Sequence, residues 1–146
     1  MPLESTQEIM SDAAREIFET MFFIAPEESA PAEEWDKAIG AEVEFSGAAC
    51  GRFEIELKEP LAQELAAGFS GVMDPSEMAP EAVPQVLCEL ANMICGATLS
   101  RMEPTALFRL KTPRFLGSTR RQQSSKQIVR WFDSGQGLIR LALTWV

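Results

Sequence analysis

Apolar residues recur at helical spacing in one long segment near the start of the chain. Between residues 5 and 24 they occupy positions 9, 10, 13, 14, 17, 18, 21 and 24. This spacing places them on one side of a helix. Ser5 or Thr6, with Glu8 shortly after, is typical of a helix start. The pattern predicts a long amphipathic helix over residues 5–24.

Two further helices are predicted in the middle of the chain. Residues 59–71 predict a short helix that ends at Gly68 or Gly71, since glycine is the usual residue after a helix. A long apolar segment then predicts a helix that begins at Pro80 or Glu81 and ends at Met102, ahead of Pro104. Pro84 falls in its first turn, where the missing N–H does no harm.

Strand patterns fill most of the remaining sequence. Residues 41–58 alternate between apolar and polar side chains and predict a hairpin. Three more strand segments follow, at residues 105–118, 126–133 and 137–146, and the last two are joined by the turn sequence SGQG. Residues 25–40 are rich in Pro, Ala and Glu and predict a surface loop, with Trp35 as its anchor.

This order of elements predicts one α/β (α+β) domain over residues 1–146. Two long helices and a short one would pack on a mainly antiparallel sheet. A chain of 146 residues has enough length for one sizeable core and too little for two ordinary domains. The C-terminal strand is hydrophobic, and exposed edge strands are able to pair across a symmetry axis, so either this strand or an internal one is a candidate for a contact with a second copy.

Charge is distributed unevenly along the chain. Residues 1–100 contain 20 acidic and 4 basic residues, a net −16, whereas residues 101–146 contain 2 acidic and 9 basic residues, a net +7. The basic residues are scattered through predicted strands and alternate with apolar residues, as on the solvent face of a sheet. This pattern disfavours nucleic acid as a partner. It favours a fold in which the two parts face each other.

Several kinds of chemistry are excluded or disfavoured by composition. The chain has no histidine, which excludes His-ligated zinc and Ser-His or Cys-His nucleophile pairs. Its three cysteines, Cys50, Cys88 and Cys95, have no CxxC spacing and are expected to be buried thiols. The longest apolar runs are too short to span a membrane, and residues 1–12 are polar and acidic, so we expect a cytoplasmic protein.

The second long helix carries a polar line opposite its apolar face. At 100° per residue, Val86, Leu90 and Ile94 fall on the side that must face the sheet. Gln85, Glu89, Asn92 and Gly96 fall on the opposite side, and Met93 lies next to that line. Asn and Gly are both poor helix formers, and they lower the stability of a helix interior. A polar pair on a flat, partly apolar helix face suits contact with a partner.

The segment ELANMICG, residues 89–96, resembles the motif helix of the CheC/CheX/FliY chemotaxis phosphatases. In that family a Glu and an Asn three residues later form the active site. Leu90 after the Glu, Met93 after the Asn, and Gly96 four residues beyond the Asn are similar to the CheX branch. Residues 51–71 and 107–118 also resemble the CheX segments that precede and follow the motif. The resemblance therefore covers most of the chain.

The resemblance implies a fold with pseudo-twofold halves and a homodimer joined through sheet edges. It also implies hydrolysis of the aspartyl phosphate on a CheY-like response regulator, with Glu89 and Asn92 as catalytic residues. Asn92 would orient the attacking water, and Glu89 would pair with a cation of the partner. Gln85, Met93 and Gly96 would contact the partner. The protein itself would need no cofactor or metal, because the receiver supplies the divalent metal ion.

One feature agrees with the CheX branch and another departs from the family. CheC-type members carry the motif twice, but in the first helix Glu16 and Glu19 are followed at +3 by Glu19 and Phe22, so one site per chain is expected. Gln85 stands where family members commonly have Ser or Asp. Two alternatives remain open: a non-catalytic module that binds a receiver or a flagellar or signalling partner, and a plain scaffold.

Overall fold

Three helices pack on one face of a seven-stranded sheet in a computed structural model of the chain, which describes residues 3–32, 38–118 and 126–145. The predicted fold class is confirmed. The helices are α1 (Leu3–Phe22), α2 (Glu59–Ser70) and α3 (Ala82–Met102). The strands are β1 (Glu27–Glu28), β2 (Ala38–Gly47), β3 (Gly51–Lys58), β4 (Phe108–Leu110), β5 (Arg114–Ser118), β6 (Gln127–Asp133) and β7 (Leu138–Trp145).

The sheet has the order β1-β6-β7-β3-β2-β4, and β5 also pairs with β2. Every pairing between the described strands is antiparallel. The last strand of the chain, β7, lies between β3 and β6 at the centre of the sheet. The suggestion that this hydrophobic strand forms an exposed edge is therefore wrong. Its hydrophobicity follows from burial on both faces.

The core lies between the sheet and the helices. In β3, Phe53, Ile55 and Leu57 are fully buried and point toward the helices, as their alternation predicts. In β7, Ile139 and Leu141 continue the same layer. The helices contribute buried residues of which the largest are Met10, Phe18, Leu61, Leu87, Leu90, Ile94 and Leu99.

Helix ends lie close to the predicted positions. Of the two glycines considered for the end of α2, Gly71 is the one that terminates it, with a left-handed φ of 75° that suits glycine. Helix α3 begins at Ala82, one residue after Glu81, and ends at Met102 as predicted. Pro84 lies in its first turn.

The predicted loop over residues 25–40 is only partly correct. Glu27 and Glu28 form the two-residue strand β1, which pairs with Asp133 and Phe132 of β6. Strand β2 begins at Ala38, inside the predicted loop. The predicted role of Trp35 lies outside the described residues.

Ion pairs connect the acidic first part of the chain to the basic last part, as predicted. Basic residues after position 100 pair with acidic residues before it; the pairs are Arg101–Glu16, Lys111–Glu44, Arg114–Glu42, Arg130–Glu28 and Arg140–Glu56. Arg140 is not on a solvated face, because it is only 4% exposed and hydrogen-bonds to Glu56 at 3.0 Å. That part of the prediction is wrong for Arg140.

The cysteines differ in burial, against the prediction that all three are buried. Cys95 is buried in the core, Cys88 is half-buried, and Cys50 is exposed just before β3.

Within the described ranges, α3 is the one helix that is long and apolar enough to cross a membrane. Its central position in the core accounts for that composition.

Candidate active site

Helix α3 is the central helix of the domain. It contacts α1, α2, and strands β2 and β3. This packing on several sides explains why its apolar residues occupy more than the narrow stripe of a surface helix. Its buried residues are Ala82, Val86, Leu87, Leu90, Ala91, Ile94, Cys95, Thr98, Leu99 and Met102. A helix held on so many sides is a rigid support for the residues on its remaining face.

The remaining face of α3 carries the polar line that the sequence predicts. Gln85 and Glu89 are exposed, and Asn92 and Gly96 are half-buried. Glu89 and Asn92 are three residues apart within one continuous helix, so their side chains are neighbours, with Cβ atoms about 5 to 6 Å apart. The structure therefore brings the two predicted catalytic residues together on a surface that a partner can reach.

Asn92 reaches solvent although it is half-buried. Across the described residues its side chain has no hydrogen-bond partner, and its polar atoms are absent from the buried unpartnered group formed by Ser11 Oγ, Arg52 Nε and Arg130 Nε. Its amide is therefore accessible and uncommitted. A carboxamide in this state can donate two hydrogen bonds and accept others from a water molecule or a partner.

Glu89 is exposed and makes no ion pair with any cation in the described part of the chain. This separates it from Glu16, Glu42, Glu44 and Glu56, which all pair with basic residues. A carboxylate left free in this way can bind a cation that comes from outside the chain.

The other two predicted contact residues, Met93 and Gly96, are half-buried. A Cβ atom added to Gly96 would lie 3.7 Å from Leu110 Cδ1, an ordinary van der Waals separation. The absence of a side chain at Gly96 therefore leaves a shallow place on the helix surface that is bordered by Leu110.

Sequence reasoning missed the residues that flank this face. Leu110 of β4 lies beside Gly96, and Phe115 of β5 lines a cleft with Val83 and Pro84 at the start of α3. The sequence predicts strands in this segment, but strand alternation alone does not show which helix lies next to them. The alternation of basic and apolar residues over residues 107–118 does indicate that Leu110 and Phe115 lie on the apolar face of these strands.

Helix α1 does not repeat the site. Of the two residue pairs considered in α1, Glu16 pairs with Arg101, and Phe22 packs against Phe18 and Phe69. Across the described residues, no group of three or more Asp, Glu, Cys or His side chains is arranged to hold a metal ion.

A sequence profile of the family described as "Chemotaxis phosphatase CheX" matches residues 39–132 of this chain. The matched range includes most of the sheet, α2, and the whole of α3. The chain belongs to the CheX family. No curated protein matches the sequence significantly.

Solved structures of CheX proteins have the same fold. The CheX of Borrelia burgdorferi, solved as a CheX-CheY-BeF3-Mg+2 complex, has a TM-score of 0.78 at 19% identity, and the match covers 94% of this chain and 96% of that one. Vibrio vulnificus CheX has a TM-score of 0.80 at 18% identity and covers 100% and 99%. Thermotoga maritima FliY is more distant, with a TM-score of 0.65 at 11% identity and coverage of 96% and 86%.

Proposed function

We propose that this CheX-family protein hydrolyses the aspartyl phosphate of a CheY-like response regulator. The observation that carries the proposal is the accessible amide of Asn92, one helical turn from an unpaired Glu89 in the described structure. Membership of the CheX family supports the activity, and the solved complex of Borrelia burgdorferi CheX with CheY supports the class of partner.

In this proposal, Asn92 orients the attacking water. The water oxygen forms a bond to phosphorus while the bond between phosphorus and the aspartyl oxygen breaks, and the electron pair of that bond leaves with the carboxylate. The products are the free Asp side chain, inorganic phosphate and one proton. An acyl phosphate is already reactive, so placing one water in line provides most of the required acceleration. A glutamine carboxamide orients water in the same way in small GTPases.

In this proposal, Glu89 binds a cationic side chain of the receiver. Its carboxylate is exposed and has no cation beside it in the described structure, so a lysine of the receiver can approach it without displacing an internal partner. Charge-assisted hydrogen bonds of this type are directional. They would fix the register in which Asn92 enters the phosphorylation pocket. The divalent ion of the reaction belongs to the receiver and is not supplied by this chain.

We further propose that Gln85, Met93 and Gly96 contact the receiver around the catalytic pair. The protein would act in the cytoplasm and form a homodimer through a free edge of its sheet. Of the described strands, β1 lies at one edge and β4 and β5 lie along the other, so these are the candidate dimer strands. Light scattering of the purified protein tests the dimer.

The decisive experiment measures phosphate loss from a panel of CheY-like receivers encoded in the same genome. Each receiver is phosphorylated and then followed with and without this protein. We expect accelerated loss from at least one receiver, complete loss of the acceleration with Asn92→Ala, and retained binding by that variant. Glu89→Ala should weaken both binding and turnover.

The outcomes distinguish the proposed function from its alternatives. Stoichiometric receiver binding without faster phosphate loss would identify a non-catalytic binding module. Indifference of both binding and turnover to Glu89→Ala and Asn92→Ala would contradict the assigned site. Equal turnover by Asn92→Ala alone would remove the water-orienting role from this residue.

A further inference from the structure

Two exposed apolar side chains from strands β4 and β5 lie beside helix α3, next to the face that carries Glu89 and Asn92. Leu110 and Phe115, here called the apolar margin, are each 37% exposed. Leu110 lies beside Gly96, and Phe115 lies beside Val83 and Pro84. Since α3 rises 1.5 Å per residue, these two positions are about 18 Å apart along the helix. Glu89 and Asn92 lie between them.

The apolar margin is held in place from the other side of the sheet. The side chains of Lys111 and Arg114 pair with Glu44 and Glu42 of β2, and the backbone N–H of Lys111 donates to the carbonyl of Glu44 at 2.8 Å. The basic residues of the segment are thereby drawn to the outer face, and Leu110 and Phe115 stay on the helix side. A docking surface that is fixed before binding loses little conformational entropy on association.

Phe115 also forms one wall of a cleft of about 500 Å³. Most of the cleft is apolar, with Met78, Pro80, Val83 and Pro84 among its lining residues. It lies about 12 Å along α3 from Asn92, on the helical rise of 1.5 Å per residue. This distance falls within the footprint of a standard interface centred on Asn92, because such an interface buries about 800 Å² on each partner.

We propose that the receiver docks on the apolar margin and inserts an apolar side chain into the cleft beside Phe115. This inference rests on the proposed function. Glu89 and Asn92 alone cover only a small part of a standard interface. The margin lies along the same helix, at Gly96 on one side of the pair and at Val83 and Pro84 on the other. A second copy of this chain is a poorer occupant, because a symmetric contact centred on the polar line of α3 would bring two Glu89 carboxylates together and cover Asn92.

The test compares three equivalent changes on one segment: Leu110→Ser, Phe115→Ser and Leu107→Ser. Leu107 is 87% exposed, and its carbonyl accepts a hydrogen bond from Ala48 at the β2–β3 turn, so it serves as the matched control. For the receiver identified in the panel, KM should rise about tenfold for each margin variant, from the apolar area each side chain exposes. The value of kcat should be unchanged, and Leu107→Ser should match wild type.

A second measurement keeps the proposal testable if Leu110→Ser lowers stability. Hydrogen exchange of the wild-type protein is compared with and without the same receiver activated by beryllofluoride. Protection of residues 78–84 and 108–115 is expected, together with α3. Light scattering of the margin variants should show the wild-type oligomeric state.

The possible failures are distinguishable. If the wild type accelerates phosphate loss and Asn92→Ala does not, but both margin variants keep the wild-type KM, the docking inference is overturned and the proposed function stands. If no receiver in the panel binds or loses phosphate faster, the proposed function fails first. A change of oligomeric state in the margin variants would identify a second copy as the occupant and overturn the inference.

Discussion

Arg140 donates a hydrogen bond to Glu56 at 3.0 Å, on the face of the sheet that the helices do not cover. The two side chains are 4% and 1% exposed. They stand directly opposite each other on β7 and β3, the two strands at the centre of the sheet. Gln127 of β6 accepts a second hydrogen bond from Arg140 at 3.4 Å, so three adjacent strands are joined through this guanidinium.

Removal of Arg140 should therefore destabilise the domain strongly. Arg140→Leu breaks its buried ion pair with the Glu56 carboxylate, and breaking a buried pair costs about 3 to 5 kcal/mol. Urea unfolding followed by circular dichroism measures the change in the free energy of unfolding. Arg101→Leu is the matched control, since its pair with Glu16 is solvent-exposed and is expected to contribute less than about 1 kcal/mol. Equal effects of the two substitutions would contradict the importance of burial.

Glu54 and Glu44 lie on the same outer face of the sheet. Replacing each with glutamine should change the free energy of unfolding in opposite directions. Burial raises the pKa of Glu54, and although Arg52 at 3.0 Å opposes this shift, Glu42 and Glu56 add to it. The hydrogen bond and charge of Lys111 lower the pKa of Glu44. The folded state therefore binds the proton of Glu54 more tightly than the unfolded chain does, and that of Glu44 less tightly.

Glu54→Gln should consequently raise the free energy of unfolding at pH 7, where ionised Glu54 opposes folding. The gain should shrink as the pH falls toward the unfolded pKa of 4.5, because the wild-type carboxyl is then protonated in the folded protein. Glu44→Gln should lower the free energy of unfolding at pH 7. That loss should disappear as the pH falls through the lowered folded pKa of Glu44. Urea unfolding at pH 7 tests both signs, and a titration that continues below the lowered folded pKa of Glu44 tests whether each effect disappears.

Gly96→Ala should raise the stability of the protein and lower its phosphatase activity. In the interior of a helix, alanine is more stable than glycine by roughly 0.5 to 1 kcal/mol, and the new Cβ has room beside Leu110 at 3.7 Å. Thermal unfolding should therefore show a stabilised protein. The added methyl group occupies the shallow place next to Asn92, so receiver dephosphorylation should fall.

Gly68→Ala is the control for that experiment. Gly68 lies in the last turn of α2, and a Cβ there would meet no atom within 4 Å. We expect a similar gain in stability with unchanged phosphatase activity. If both glycine variants keep full activity, Gly96 has no role in contacting the partner.

The three thiols should react at three different rates. Burial raises the pKa of Cys95 to about 12 and also raises the pKa of the half-buried Cys88, whereas Cys50 is exposed. Since the thiolate is the reactive form, a disulfide reagent at pH 8 should modify Cys50 first and Cys88 slowly. Cys95 should react only on unfolding. Cys50→Ser should remove the fast phase, and its persistence in that variant would contradict the assignment.

Much of the fold could be predicted because local pattern and final structure agree in the helices and in the β2–β3 hairpin. The helical spacing around Leu90 and Ile94 correctly separated the buried side of α3 from the side that carries Glu89. Strand β1 could not be predicted, since Glu27 and Glu28 have no apolar alternation and form a strand only through pairing with β6.

The remaining differences arise from tertiary position, which sequence pattern does not contain. Arg140 alternates with apolar residues like a solvent-facing side chain, and it is buried because β7 is central and Glu56 stands opposite it. Similarly, Leu110 and Phe115 fit any amphipathic strand pattern. Their position beside α3 depends on how β4 and β5 pair with β2, a contact between segments distant in the chain.

The central position of β7 also governs when this protein can fold during synthesis. Residues 138–145 follow every other described strand in the chain, yet β3 and β6 each need β7 as a neighbour. Until that strand leaves the ribosome exit tunnel, the position between β3 and β6 in the sheet of the nascent chain is unfilled. Folding of the whole domain, including the support beneath Asn92, is thus deferred until β7 has been synthesised.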